Sequence, residues 1–194
     1  CAVLDNRAVY CWGYNVNGQL GDGTTTDRST PVQVSLPSGR TATSVTTGLY
    51  HTCAVLDNGA AYCWGKGANG QLGDGATSDR STPVQVSLPS GRTASSVSAG
   101  IQSLHTCAVL DNDAAYCWGY NGYGQLGDGT TTHRSTPVQV SLPSGRNASS
   151  VSTGDYHTCA VLDNGDAYCW GYNSNGQLGD GTTTQRATPV QVSL

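Results

Sequence analysis

Eight cysteines form four pairs, each ten residues apart: Cys1 with Cys11, Cys53 with Cys63, Cys107 with Cys117, and Cys159 with Cys169. Thiols bind metals, attack electrophiles or cross-link. Zinc motifs place paired ligands within about two to four residues. Here nine residues intervene and no histidine is interleaved, which argues against metal. A catalytic thiol is disfavoured because every cysteine has a matching partner. Cross-linking is left, and with it an oxidising compartment, so the expected location is extracellular or at the cell surface. Each closed loop contributes about 3 kcal/mol in the chain-entropy picture.

Other residues invite chemistry. His51, His105 and His157 stand among many Ser and Asp and suggest a hydrolytic triad. A real site needs one converging geometry, whereas these histidines recur at one place in successive copies. They read as packed histidines that hydrogen-bond locally. Trp12, Trp64, Trp118 and Trp170 recur in the same way and read as packing between neighbouring units, the indole N–H on a backbone carbonyl. The tract Asn17-Gly-Gln-Leu-Gly-Asp-Gly23 lacks the helix of a phosphate cradle and the alternating acids of a calcium loop. It reads as a tight glycine turn. Asp22, Asp74, Asp128 and Asp180 are positioned to pair with Arg28, Arg80, Arg134 and Arg186, within or between units; exposed pairs of this kind contribute little. Asn147-Ala-Ser149 is a glycosylation sequon. No catalytic residue, metal or cofactor is expected.

The elements that must position these side chains follow from repetition. The string Cys-Ala-Val-Leu-Asp-Asn begins at residues 1, 53, 107 and 159. A period of this size denotes a solenoid, propeller or array, because one copy cannot bury its own apolar surface. We divide the chain, read as a single propeller region over 1–194, into repeats at about 1–36, 37–88, 89–142 and 143–194. In the second copy, Thr43–Thr47, His51–Leu56, Ala60–Trp64 and Pro83–Leu88 are short β runs separated by turns, with Pro83 at the start of its strand. Four strands per repeat is the content of a propeller blade. No segment has helical periodicity.

A three-residue turn, Asp57-Asn58-Gly59, makes Leu56 and Ala60 the closing pair. Counting outward sets Cys53 opposite Cys63 at a non-hydrogen-bonded position, where side chains approach closely enough for a disulfide. Alternation places Cys53, Val55, Ala61 and Cys63 on one face and Ala54, Leu56, Ala60, Tyr62 and Trp64 on the other. Neither face is polar, so each sheet expects cover on both sides. Arg7 and Asp113 replace the turn glycine in two copies, and Arg7 costs on the order of 1 kcal/mol if it keeps the left-handed conformation.

Composition agrees. The chain has 26 Gly, no Phe, Met or Glu, and a modest hydrophobic content of 37%, so its core is thin and cross-links help it. Net charge is −4, with one lysine and no basic cluster, which argues against a nucleic-acid partner. No apolar run reaches membrane-spanning length, so no membrane insertion is expected. The start at Cys1, in mid-repeat and without Met, suggests a piece of a longer or processed polypeptide.

Tyr62-Cys-Trp-Gly65, Asn69-Gly-Gln-Leu-Gly73, Arg80-Ser-Thr-Pro-Val84 and Gly48-x-x-His51-Thr resemble the regulator of chromosome condensation repeat family, as do their counterparts in the other copies. The resemblance covers essentially the whole chain. It implies an all-β propeller of four-stranded antiparallel blades, typically seven, acting as a protein-binding scaffold. The paired cysteines look like a secreted, often bacterial, multi-repeat branch rather than the nuclear founding member. Its nucleotide-exchange activity is not expected, because near-identical copies lack blade-to-blade specialisation and fold does not carry function.

The Ser-Val-x-x-Gly-x-x-His strand appears three times and the other strands four, so the first blade lacks one strand. Further covalent repeats, another copy of the chain, or a tighter four-blade ring would each close the arc. A contact that fails to close gives a filament.

Partner binding is expected where matching copies differ, in loops. These positions are Tyr14, Tyr50, Lys66, Ile101, Leu104, Tyr120, Tyr123, Tyr156 and Tyr172, with a further variable point at Asp27, Asp79, His133 and Gln185. The expected function is an extracellular, non-enzymatic propeller scaffold for protein–protein interaction or surface assembly. Its partner is then another protein or other copies of the chain, in a homo-oligomer or filament. A structural fibre subunit built by head-to-tail blade stacking is the second reading, and an enzyme-inhibitor-type propeller the third.

Overall fold

The computed structural model describes all 194 residues and contains strands and turns only. The first sheet has three strands, β1 (Ala2–Val3), β2 (Val9–Gly13) and β3 (Arg28–Gln33). Three four-stranded sheets follow: β4 (Ala42–Thr47) to β7 (Arg80–Gln85), β8 (Ala94–Ser98) to β11 (Arg134–Gln139), and β12 (Ala148–Thr153) to β15 (Arg186–Gln191). Within each sheet the strands pair antiparallel in chain order, so each repeat is one blade.

The central hairpin has the expected register. Val55 faces Ala61, Ala54 faces Tyr62 and Cys53 faces Cys63. Leu56 N–H donates to Ala60 O at 2.9 Å and closes the turn. All four cysteine pairs are disulfides with Cα–Cα separations of 4.0–4.1 Å. Arg7 and Asp113 hold the turn glycine's left-handed backbone, with φ of 61° and 60°.

One expectation about the outer strand is corrected. It begins three residues earlier, at Arg80, so Pro83 lies inside it. Opposite Trp64 the register slips, with Cys63 facing Val84 and Gly65 facing Arg80. Proline is tolerated in this bulge because the strand is at the sheet edge and its missing N–H deprives no neighbour.

The blades stack as alternation requires. Cys53, Val55, Ala61 and Cys63 of the second blade pack against Ala108, Leu110 and Trp118 of the third. The same faces meet at the two other seams. Each seam carries a polar node. Gln71 O accepts from Trp118 Nε1–H at 3.0 Å and from Thr106 Oγ1–H at 2.9 Å. Gln19 O and Gln125 O do the same for Trp64 with Thr52 and Trp170 with Thr158. Trp64, Trp118 and Trp170 are fully buried, whereas Trp12 has no preceding blade and is 48% exposed.

The tighter four-blade ring is also corrected. The hydrophobic clusters join consecutive blades only. Trp12 on the first blade and Val161 on the last, 42% exposed, face no partner surface. The four blades form an open arc.

Two of the three histidines reach beyond the local bonds expected from sequence: His51 and His105 bridge blades, His105 also keeping a local bond to Ser103. His51 Nε2 lies 2.9 Å from Thr106 Oγ1, and His105 Nε2 lies 2.8 Å from Thr158 Oγ1. The threonine hydroxyl gives its hydrogen to the glutamine carbonyl, so the imidazole Nε2–H is the donor. Burial lowers His51 to about 4 and His105 to about 3, neighbouring histidines adding to the second shift.

Two outcomes test this packing. Gly73 (φ +71°) lies under Trp118, where an added Cβ would stand 2.7 Å from Nε1; Gly91 (φ +74°) has nothing within 4 Å. Gly91→Ala should cost about 1 kcal/mol for its backbone conformation. Gly73→Ala should cost clearly more by urea denaturation. Folded-state histidine values below the unfolded one mean that the unfolded chain binds protons first on acidification. Stability should therefore be full above about pH 6.5 and fall between there and about pH 4. A His105→Asn variant should lose about 1 to 2 kcal/mol less than the parent between pH 7 and pH 5.

Candidate protein-interaction face

The variable loops gather on one edge of the arc, because one enters the first central strand of a blade and the other leaves the second, and those two strand ends are paired neighbours, as His51 is with Gly65. Lys66 N–H donates to Tyr50 O at 2.8 Å, Tyr120 N–H to Leu104 O at 3.0 Å, and Tyr172 N–H to Tyr156 O at 2.9 Å. Sequence neighbours of Trp-Gly and of His are thereby tied into one rim.

The predicted rim residues fall into two groups and an outlier. Tyr14 and Tyr50 have ring centroids 6.4 Å apart, and Lys66 Nζ stands 5.1 Å from the Tyr50 centroid. On blades three and four, Tyr123 is 5.1 Å from Tyr156 and 4.9 Å from Tyr172, while Tyr120 is 6.1 Å from both Tyr123 and Tyr156. The rings meet at interplanar angles of 62–74°, edge to face. Ile101 is 82% exposed and makes none of these ring contacts. Leu104 is half-buried beneath Tyr120.

The longer third-copy loop also places Ser103 Oγ 2.8 Å from His105 Nδ1. This pair resembles part of a triad, but both residues are buried at 0% exposure and the other imidazole nitrogen holds Thr158. The pair rigidifies a seam and has no path to a substrate.

A buried brace holds three of the rim tyrosines. Asn15, Asn121 and Asn173 follow Tyr14, Tyr120 and Tyr172 and are fully buried. Asn121 Nδ2–H donates to Thr130 O and Thr132 O, and its Oδ1 accepts Leu126 N–H. Asp128 Oδ1 accepts from Thr130 N–H and Oγ1–H, and Oδ2 accepts from Arg134 Nε–H and Nη2–H at 3.0 and 2.8 Å. All four Asp–Arg pairs lie within a single repeat, and the carboxylates are only 3–5% exposed. The arginines, at 36–40%, remain exposed as expected from sequence, while the carboxylates they hold are buried. Burial raises the Asp128 carboxyl, but hydrogen bonds from Thr130 and Arg134 outweigh it and hold the value below normal. At Asp180 the Thr182 hydrogen bond leads, and the value falls to about 2.

In three of the four copies the third variable point ties down the backbone of the rim loop. Asp27 Oδ1 accepts Asn15 N–H, Asp79 Oδ1 accepts Gly67 N–H, and His133 Nδ1 accepts Asn121 N–H at 3.0 Å. His133 also lies 4.6 Å from the Tyr120 ring. Sequence reasoning missed the asparagine, although its recurrence after Tyr in three copies was a visible signal. Asn147 is exposed on the loop entering β12, accessible for glycosylation and away from the rim.

Removing the brace tests its role. Asp128→Ala should lower stability by about 1 to 2 kcal/mol, since a buried charge-assisted hydrogen-bond set is lost. A depressed carboxylate stabilises above its unfolded value, so the gap between parent and variant should close as pH falls below about 4. Urea titrations at pH 7 and pH 3 measure both.

The comparisons agree with this geometry. Ultraviolet-B receptor UVR8 of Arabidopsis thaliana is 38% identical over 191 residues, covering 98% of this chain and 43% of that protein. Human E3 ubiquitin-protein ligase HERC2 is 31% identical over 193 residues, 98% of this chain and 4% of HERC2. Human WBSCR16 superposes with a TM-score of 0.87 at 22% identity, covering 99% of this chain and 50% of that one. Yeast RCC1 (Prp20), solved bound to Kap60, superposes with a TM-score of 0.83 at 21% identity, covering 100% and 46%. These solved structures show the fold alone, and the chain spans half or less of each of these proteins. The family model described as the RCC1-like domain matches residues 1–194, and this chain, with its stacked four-stranded blades, belongs to that family.

Proposed function

We propose that this chain is part of a non-enzymatic propeller scaffold that works outside the cell or on its surface and binds protein through its tyrosine-bearing rim. The observation that carries the reading is covalent: every blade is closed by a disulfide and no cysteine is free. Such usage belongs to oxidising compartments. Protein binding is supported by the family and by rim chemistry, since exposed tyrosines on braced loops are favoured at interaction hot spots. Yeast RCC1 (Prp20), which shares the fold, was solved bound to Kap60, and this supports a protein as partner.

A second reading, head-to-tail assembly, is favoured by the two end faces. Trp12 is exposed on one end, and on the other the Gln177 position is the counterpart of the carbonyls that seat Trp64, Trp118 and Trp170. A second copy could dock there without closing the ring.

One experiment addresses the main reading. Protein recovered from its native source should resist alkylation at all cysteines until reductant is added. A photo-crosslinking residue at Ile101 should capture protein from that same compartment, whereas one at the outer-strand position Thr30 should not. Free thiols in the native material, or equal capture at both positions, would refute the proposal.

A further inference from the structure

The repeats contain their own comparison. Tyr14, Tyr50 and Lys66 occupy the same repeat positions on blades one and two as Tyr120, Tyr156 and Tyr172 on blades three and four. The first two rings are 6.4 Å apart in one set and 6.1 Å in the other. In the first set Lys66 Nζ sits over the Tyr50 ring at 5.1 Å. In the second set tyrosine stands where the lysine was. Leu49, preceding Tyr50, is matched by Asp155, preceding Tyr156. One end of the rim thus has a cation in place, while the other has lost that cation and gained an anion. Tyr156 is 38% exposed and Asp155 beside it is exposed.

Ring faces are electron-rich and attract ammonium and guanidinium groups. Four tyrosines meet edge to face, and two of them, Tyr156 and Tyr172, line an open cup with Asp155 rather than one flat platform of the kind a sugar ring stacks on. Burial, aided by Tyr123 and Tyr156, raises Tyr120 above its ordinary value, so that phenol stays neutral at neutral pH. Resting on the scaffold reading above, we propose that the cup of Tyr156, Tyr172 and Asp155 receives an arginine or lysine side chain from an extended basic segment of a protein partner. The incoming cation supplies to this tyrosine cluster the kind of contact that Lys66 makes with Tyr50 in cis two blades away.

Synthetic Gly/Ser peptides carrying three arginines, lysines, glutamines or glutamates, together with a neutral chitin oligosaccharide, test this against the full disulfide-bonded chain by NMR of the tyrosine rings. The arginine and lysine peptides alone should give saturable shifts. Tyr172→Lys, which installs the blade-two arrangement, should weaken binding about tenfold. Ser174→Lys adds the same charge two residues away and should weaken it less than about threefold. Tyr156→Phe keeps the ring face and should bind within about twofold of the parent. Equal binding of the glutamine or glutamate peptide, saturable binding of the oligosaccharide in the cup, no binding of the arginine peptide, or equal losses from the two lysine variants would each overturn the proposal. If it falls while crosslinking at Ile101 still captures protein, the scaffold reading stands with a different partner chemistry; if crosslinking fails as well, both fall.

Discussion

Each seam between blades turns on one carbonyl oxygen. Gln19 O, Gln71 O and Gln125 O each accept two hydrogen bonds from the following blade, one from an indole and one from a threonine hydroxyl. Both lone pairs are used, away from water, where an unmade bond is costly. The indole must lie flat against a glycine to reach that oxygen, and the apolar faces are thereby brought into register. Dispersion and burial supply most of the attraction between sheets. The carbonyl supplies the alignment, because two directional donors converge on one atom.

The blade itself was largely legible in the sequence. Side-chain period two, a turn of known length and a fixed cysteine spacing are local facts, and they led to the opposed Cys53 and Cys63 and to the two apolar faces. The seam was legible only in part. The tryptophan–carbonyl bond follows from the chemistry of a buried indole. The His105–Thr158 bond spans 53 residues, and nothing near His105 in the chain announces Thr158. Pro83 misled about the outer strand because its tolerance depends on lying at an edge, a property of the whole sheet.

The rim shows the same division. That loops differ between copies is visible in the letters. That Tyr123, Tyr156 and Tyr172 converge within 4.9–6.4 Å is a product of stacking, which makes neighbours of residues about one repeat apart. Asn121 looked like part of a variable loop but is its fixed point, held under Tyr120 by backbone carbonyls and by the Asp128–Arg134 pair. Rigid support under a changeable surface separates folding from recognition: the surface can alter without disturbing the aspartate and arginine beneath it, which persist in the second blade although Gly67 replaces the asparagine there.

The sameness of the seams has an evolutionary corollary. Since one blade meets the next through the same few atoms each time, any blade fits after any other. Duplicating or deleting one whole unit in the gene leaves all joints chemically intact and changes only how far the arc extends. Such a molecule can diversify by counting modules as well as by altering residues, and unequal crossing-over between its near-identical coding segments supplies the means.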